Sequence, residues 1–368
     1  MEKETGENRL LLFFFSAVFL AAIQYNIFPG ANKLSYSLVF VSIFVILYRL
    51  RVNNQKILFP FLLLIVHGLV ISPFIEYPYS YLVRESLLYA SYVLPLFCIN
   101  FERIYAEDLD KVFFCLVIFY IFNSAVVFLQ AGKVEYSFLD SYSAFEHAMY
   151  APLLGLGSLH FFHRKKYSYS FLFFLLCLVA LKRVVIIALL ASLISKFFVR
   201  NGWGCKLSFV FLILMTFCFV YFINLLADGF FDEIMRESLG VSVNALTQGR
   251  QSLYQGILSY EIGGFAWLDK LFGNGAGFSA WFVENIAATS VPLHNIHSDI
   301  LKIFYDHGYL VGVLFFITFF KHVVVSKYNV CLYVFITVCL VSDNFLVYAP
   351  VMFLFLTMVI INIRALRD

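Results

Sequence analysis

Residues 249–260 read GRQSLYQGILSY, residues 270–282 KLFGNGAGFSAWF, and residues 291–316 VPLHNIHSDILKIFYDHGYLVGVLFF. This is the longest polar interruption in an otherwise apolar chain, and it leads directly into a run long enough to cross a bilayer. It carries three of the eight histidines, His294, His297 and His307, together with Arg250 and Lys270. Around it, 62% of the 368 residues are hydrophobic, 13% are charged, and mean hydropathy is +0.87. A soluble domain has no use for so much apolar surface, so a polytopic membrane protein is expected. The apolar runs are continuous, without the period-two alternation of a membrane β-barrel. The expected fold is therefore all-α.

Twelve spans are expected, centred near Phe19, Ile43, Leu64, Tyr89, Phe119, Gly155, Leu175, Leu189, Met215, Phe304, Phe335 and Phe353. With the N-terminus inside, the inner segments hold Lys3 and Arg9; Arg49, Arg51 and Lys56; Arg103 and Lys111; Arg164, Lys165 and Lys166; Lys196, Arg200 and Lys206; Lys321 and Lys327; Arg364 and Arg367. These are 17 of the 26 Lys and Arg, and the excess of inner positive charge puts both termini in the cytoplasm. The first apolar run lacks a small-residue cleavage site and reads as an anchor, not a signal peptide. The whole chain, 1–368, forms one integral-membrane domain. Its outer side is short except at 131–146 and at 227–293, a large loop between helices nine and ten. Seven cysteines at no CxxC spacing read as small apolar helix residues.

A few charges break the pattern. In LVALKRVVIIALL, Lys182-Arg183 occupies a tight outer turn, either snorkelling at the interface or facing an outer cavity to bind an anion. Arg84, at the outer end of span four, is a similar case. Its neighbour Glu85 points to another helix face and cannot simply neutralise it. Arg250 opens an amphipathic segment carrying Leu246, Leu253, Ile257 and Tyr260, and its planar fork suits a diphosphate. Asn295, Asp299, Lys302 and Asp306 share one helical stripe, which implies a wet or protein-lined face rather than lipid; Asp299 and Lys302 can pair with each other. His294 has the near-neutral pKa of a general base. A metal reading of His294, His297 and Asp299 lacks a third strong ligand. The GNGAG run lacks the strand and the Lys-Ser/Thr of a phosphate loop and reads as a tight turn. Phe278, Trp281 and Phe282 then read as an interfacial aromatic belt, with a sugar-stacking surface as the alternative.

The Gly-Arg at 249–250, the FGNGAGF turn, His294-Asn295 and the GYLVG at 308–312 together resemble the signature of the O-antigen polymerase (Wzy-type) and O-antigen ligase superfamily. EHAMYAPLLGLG at 146–157 is similar to that family's entry into its sixth span. The resemblance implies a GT-C-like bundle of about twelve transmembrane helices with a large periplasmic loop, in a bacterial inner membrane. It implies a metal-independent glycosyltransferase with no cofactor, in which Arg183 and Arg250 grip an undecaprenyl diphosphate and His294 deprotonates the acceptor sugar. Lys182, Arg84, Asn295, Asp299 and Lys302 would bind substrate. The expected partners are undecaprenyl-diphosphate-linked glycans, membrane lipid and a chain-length regulator, with no nucleic acid. One departure is Lys182-Arg183, where many members have Ser-Arg. The expected activity is polymerisation of lipid-linked repeat units into surface polysaccharide, O-antigen or capsule, at the periplasmic face. Transfer of finished glycan to lipid A core by a ligase is the alternative. A flippase without chemistry is the alternative of another class, although inverted repeats are not visible.

Overall fold

Continuous runs of Phe, Leu, Val and Ile in apolar surroundings leave the backbone no hydrogen-bonding partner but itself, and helices are the result. The computed structural model describes residues 9, 11–17, 19, 34–49, 55–131, 136–137, 142–143, 149–180, 182–199, 202–247, 249–260, 266–286 and 296–366. Up to residue 227 the chain contains α1 (Leu34–Arg49), α2 (Gln55–Ile71), α3 (Tyr79–Cys98), α4 (Ala106–Ala131), α5 (Tyr150–His163), α6 (Tyr167–Val179), α7 (Arg183–Phe198) and α8 (Gly202–Ala227). Five short helices follow: α9 (Asp232–Leu239), α10 (Val243–Leu246), α11 (Arg250–Ser259), α12 (Ala266–Phe272) and α13 (Phe278–Asn285). The chain then returns to the bundle as α14 (Asp299–Phe320), α15 (Lys327–Ser342) and α16 (Ala349–Ala365). Among the described residues the only strands are a two-residue pair, Tyr136–Ser137 against Tyr142–Ser143.

Each of the twelve expected centres falls on a described helical residue. Among the described residues, four helical stretches are long and apolar enough to cross a membrane: Lys56–Phe74, Ala106–Leu129, Gly202–Ala227 and Asp299–Val325. Helix α16 is apolar all round and buried from Ala349 through Ile361, the pattern of a central helix. It packs against α3 and α5, while α7 lies along α15. On the outside, α1 turns Phe40 and Phe44 outward, 67% and 74% exposed.

The long segment between α8 and α14 is more built than a polar insertion. Its helices close over a second apolar core made by Leu226, Leu253, Ile257, Phe278, Phe282 and Leu301. This corrects the expected belt. Phe278 and Phe282 are buried, and Trp281 is half-buried with its ring stacked on Tyr77 at 5.7 Å. The apolar faces of α11 and α13 find each other before they would find an interface.

The glycine-rich turn has a specific task. Helix α14 is broken at Gly308, whose φ of 75° and ψ of 170° are non-helical. A break there takes donors away from the carbonyls one turn earlier. The turn supplies replacements: Asn274 N–H donates to the Tyr305 carbonyl at 3.0 Å and Gly275 N–H to the Asp306 carbonyl at 2.8 Å. The Asp306 carboxylate in turn accepts the N–H groups of Gly277 and Ser279, at 3.0 and 2.8 Å. Backbone meets backbone so closely that a Cβ on Gly308 would stand 2.4 Å from the Gly273 nitrogen. Gly308→Ala is therefore expected to destabilise the protein by at least about 2 kcal/mol, since a positive φ alone costs an L-residue roughly 1–2 kcal/mol. Thermal unfolding in detergent would show it, and an unchanged melting point would mean that the turn does not press on Gly308.

Candidate functional site

Four segments distant in sequence meet at the end of α15. Its C-cap is Asp343, fully extended, with its N–H on the Cys339 carbonyl at 3.0 Å. Lys182, the residue before α7, forms a salt bridge with the Asp343 carboxylate, and its ammonium lies 5.0 Å from the centre of the Tyr348 ring. From α11, Arg250 Nη1 donates to the Ser342 carbonyl at 3.0 Å. His297, in a left-handed conformation with φ of 55°, brings Nδ1 to 3.8 Å from Asp343 Oδ1 and 3.4 Å from Asn344 Nδ2. The Tyr254 hydroxyl steadies this histidine by donating to its carbonyl at 3.4 Å.

Burial would by itself raise the Asp343 carboxyl. The nearby His297 imidazole, the Lys182 ammonium and the Asn344 N–H outweigh it and hold the group well below the usual carboxylate range. A depressed carboxylate contributes stability that is present above its unfolded pKa of about 3.9 and is lost only as pH falls towards the folded value. The Lys182–Asp343 tie therefore persists across neutral pH. Burial pushes the Tyr254 phenol up to about 12, which keeps it a donor.

Lys182 and Arg250 are thus brought to one hub, and Arg183 is exposed at the first residue of α7 beside it. No side chain caps the α7 N-terminus, and the positive end of the helix dipole faces the same region. The other expected binding residues lie elsewhere. Arg84 is tied to Glu284 of α13 at 3.0 Å and lies over the Tyr81 ring, so it fastens the loop to α3. Asp299 and Lys302 are fully buried. Their expected mutual pairing is corrected: Lys302 reaches across to Glu85 at 2.6 Å, and Asp299 accepts the Leu346 N–H at 2.7 Å. Glu85 does diverge from Arg84, because adjacent residues of α3 serve different neighbours. His294 and Asn295 lie outside the described residues.

Two features were not anticipated. Asp343 and Asn344 form the hub, and their only sequence signal is a lone acidic residue between two apolar runs. The other is a cleft of about 330 Å³ between α8, α11 and α14. Tyr260, Tyr305 and Tyr309 give it aromatic faces, and Asn224, Asp228 and Lys270 give it polar edges. Aromatic faces beside hydrogen-bonding groups suit a sugar ring, which has an apolar face and a polar rim. Helix α11 joins the two places: Arg250 opens it at the hub, and Leu258 near its far end lines the cleft. Its ten residues span about 15 Å at roughly 1.5 Å per residue. Set against protein-family models, curated proteins and solved structures, the chain matches no family model, no curated protein and no solved structure.

Proposed function

We propose that the protein is a membrane glycosyltransferase that polymerises lipid-diphosphate-linked oligosaccharides at the outer face of a bacterial inner membrane. About twelve helices span the bilayer, both termini are cytoplasmic, and helices α9–α13 cover the periplasmic mouth. The carrier is undecaprenyl diphosphate and a chain-length regulator is a partner, both on the strength of the sequence resemblance alone. The donor chain is held as its diphosphate by Arg183 and Arg250. His294 takes the proton from the attacking hydroxyl of the incoming unit, the glycosidic bond forms, and the lipid diphosphate leaves. Positioned cations stabilise the charge that develops on the leaving group.

Support comes from one juxtaposition above all. Lys182 and Arg250, 68 positions apart, converge on Ser342–Asp343 with Arg183 alongside. In this arrangement Lys182 is spent on Asp343, so its role is to fix the start of α7 and thereby aim Arg183. The aromatic cleft one length of α11 away gives an oligosaccharide a place to lie while its diphosphate is at the hub.

The decisive assay is reconstitution in vesicles with a lipid-diphosphate oligosaccharide. The expected products are a ladder of chain lengths and free lipid diphosphate. Transfer to lipid A core without a ladder would make the protein a ligase, and lipid flipping without bond formation would remove the enzymatic reading. In the same assay Arg250→Ala is expected to slow turnover roughly 10- to 150-fold, the 1.5–3 kcal/mol of a charge-assisted hydrogen bond. Arg250→Lys should recover little of it, because an ammonium keeps the charge and loses the fork. Wild-type turnover in Arg250→Ala would dismiss the clamp. Topology is tested separately: Ser259→Cys on α11 should react with an impermeant maleimide from the periplasm, and Ser168→Cys on α6 only from the cytoplasm. Both serines are exposed, so the reverse result would invert the orientation.

A further inference from the structure

The opposite end of the bundle carries a second, separate cleft. It has a volume of about 240 Å³ and lies where the end of α5, the end of α7 and the start of α15 come together. Its walls are apolar: Leu159, Leu193 and Cys331 from the three helices, with the Tyr328 and Phe162 rings. Tyr328 is buried and stacks flat on the His163 imidazole, centroids 4.0 Å apart and planes at 5°. Three lysines stand around this apolar slot, one from each segment: Lys165, Lys196 and Lys327.

What distinguishes these lysines is how their neighbours are used. In Arg164-Lys165-Lys166, the first cation is bonded to Glu107 at 2.7 Å and the third to Asp110 at 2.6 Å. The middle one is held in a left-handed backbone, φ of 60°, and lines the cleft with no carboxylate within ion-pair distance among the described residues. Lys196 has an aromatic partner, its ammonium 4.1 Å from the centre of the Phe162 ring, and no acidic one among the described residues. Lys327 has no acidic partner among the described residues. Beside the slot, α7 ends in Phe197 and Phe198, 75% and 80% exposed.

We infer that this cleft binds one anionic phospholipid, with its phosphate among Lys165, Lys196 and Lys327 and an acyl chain in the apolar slot. Three ammonium groups around one open site, none with an acidic partner among the described residues, call for an anion. A soluble phosphate or nucleotide would leave the Leu159–Leu193 slot empty, whereas a lipid fills both parts. Basic pockets between helices at the cytoplasmic surface are suited to anionic head groups, and all three lysines belong to segments whose charge puts them on that side. The site is on the face opposite the proposed chemistry. Its occupancy would brace the contact between α7, which carries Arg183 at its other end, and α15, which carries Asp343.

The test uses the full-length protein in a neutral detergent, titrated with phosphatidylglycerol, phosphatidylcholine or inorganic phosphate. Native mass spectrometry reads bound lipid and thermal unfolding reads its effect. One phosphatidylglycerol should be retained and raise the melting temperature; phosphatidylcholine and inorganic phosphate should do neither. A shift with inorganic phosphate alone equal to that with the lipid would make the cleft a free-anion site and overturn the lipid assignment. Lys165→Asn/Lys196→Gln/Lys327→Gln, with asparagine chosen because it tolerates a positive φ, should weaken phosphatidylglycerol binding about a hundredfold, roughly fivefold per lysine. Leu193→Trp narrows the slot without changing any charge and should also lower retention, which guards against a charge variant that fails to fold. Undiminished binding in both variants overturns the proposal. Because the measurement is made in detergent, it is independent of the glycosyltransferase assay and of the maleimide labelling.

Discussion

Lys302→Met is expected to destabilise the protein by about 3–5 kcal/mol, the cost of removing one partner from a buried ion pair. The Lys302 side chain is 1% exposed and the Glu85 side chain 3%. Asp299 and Asp306 flank the lysine on its own helix at i−3 and i+4, and both are buried. Methionine fills nearly the same volume, so the loss is electrostatic: three carboxylates are left around an apolar thioether. Glu85→Leu/Lys302→Met should regain most of the stability, since an apolar pair of similar volume often replaces a buried ion pair without penalty. Recovery should stop short of complete because Asp299 and Asp306 lose a compensating charge too. The measurement is thermal unfolding of the three proteins in one detergent. If Lys302→Met melts with the wild type, the pair is not holding α3 to α14.

His294→Ala is expected to slow glycan polymerisation by roughly 10²–10⁴-fold, the typical contribution of a general base, with lipid-linked single units accumulating. Substrate should still bind, because the arginines are untouched. His297→Ala should lose much less. In this structure His297 is a positioning residue, supporting Asp343 and Asn344 at the hub, and its loss should show first as a lower melting temperature. A larger catalytic loss in His297→Ala than in His294→Ala, with an unchanged melting temperature, would transfer the base assignment to His297.

The helices were legible because their signal is local: a continuous run of apolar residues is enough, and Ile43, Leu64, Phe119 and Phe353 all sit on helices as expected. The divergence of Arg84 and Glu85 was legible for the same reason, since helical geometry decides it. Partners were not. Lys302 and Glu85 are separated by 217 positions, and nothing near either residue names the other, so the nearest opposite charge, Asp299, stood in for it. Asp343 was passed over because one acidic residue after an apolar span looks like any helix end until Lys182 and His297 arrive. The aromatic belt failed through missing context: Phe278 and Phe282 are apolar beside a polar loop, and only the neighbouring faces of α11 and α14 reveal that the loop has a core of its own.

The break at Gly308 also bears on how the chain is made. A half-exposed backbone is costly in hydrocarbon, where each unmet carbonyl is worth several kcal/mol, and α14 alone would enter the bilayer with such groups at Tyr305 and Asp306. The turn that answers them, at 273–277, precedes Gly308 in the chain and so leaves the ribosome first. Synthesis order thus delivers the donors before the acceptors they answer. A circular permutant opened between α13 and α14 would reverse that order while preserving every contact of the finished protein, and membrane integration of α14 would then have to wait for the turn.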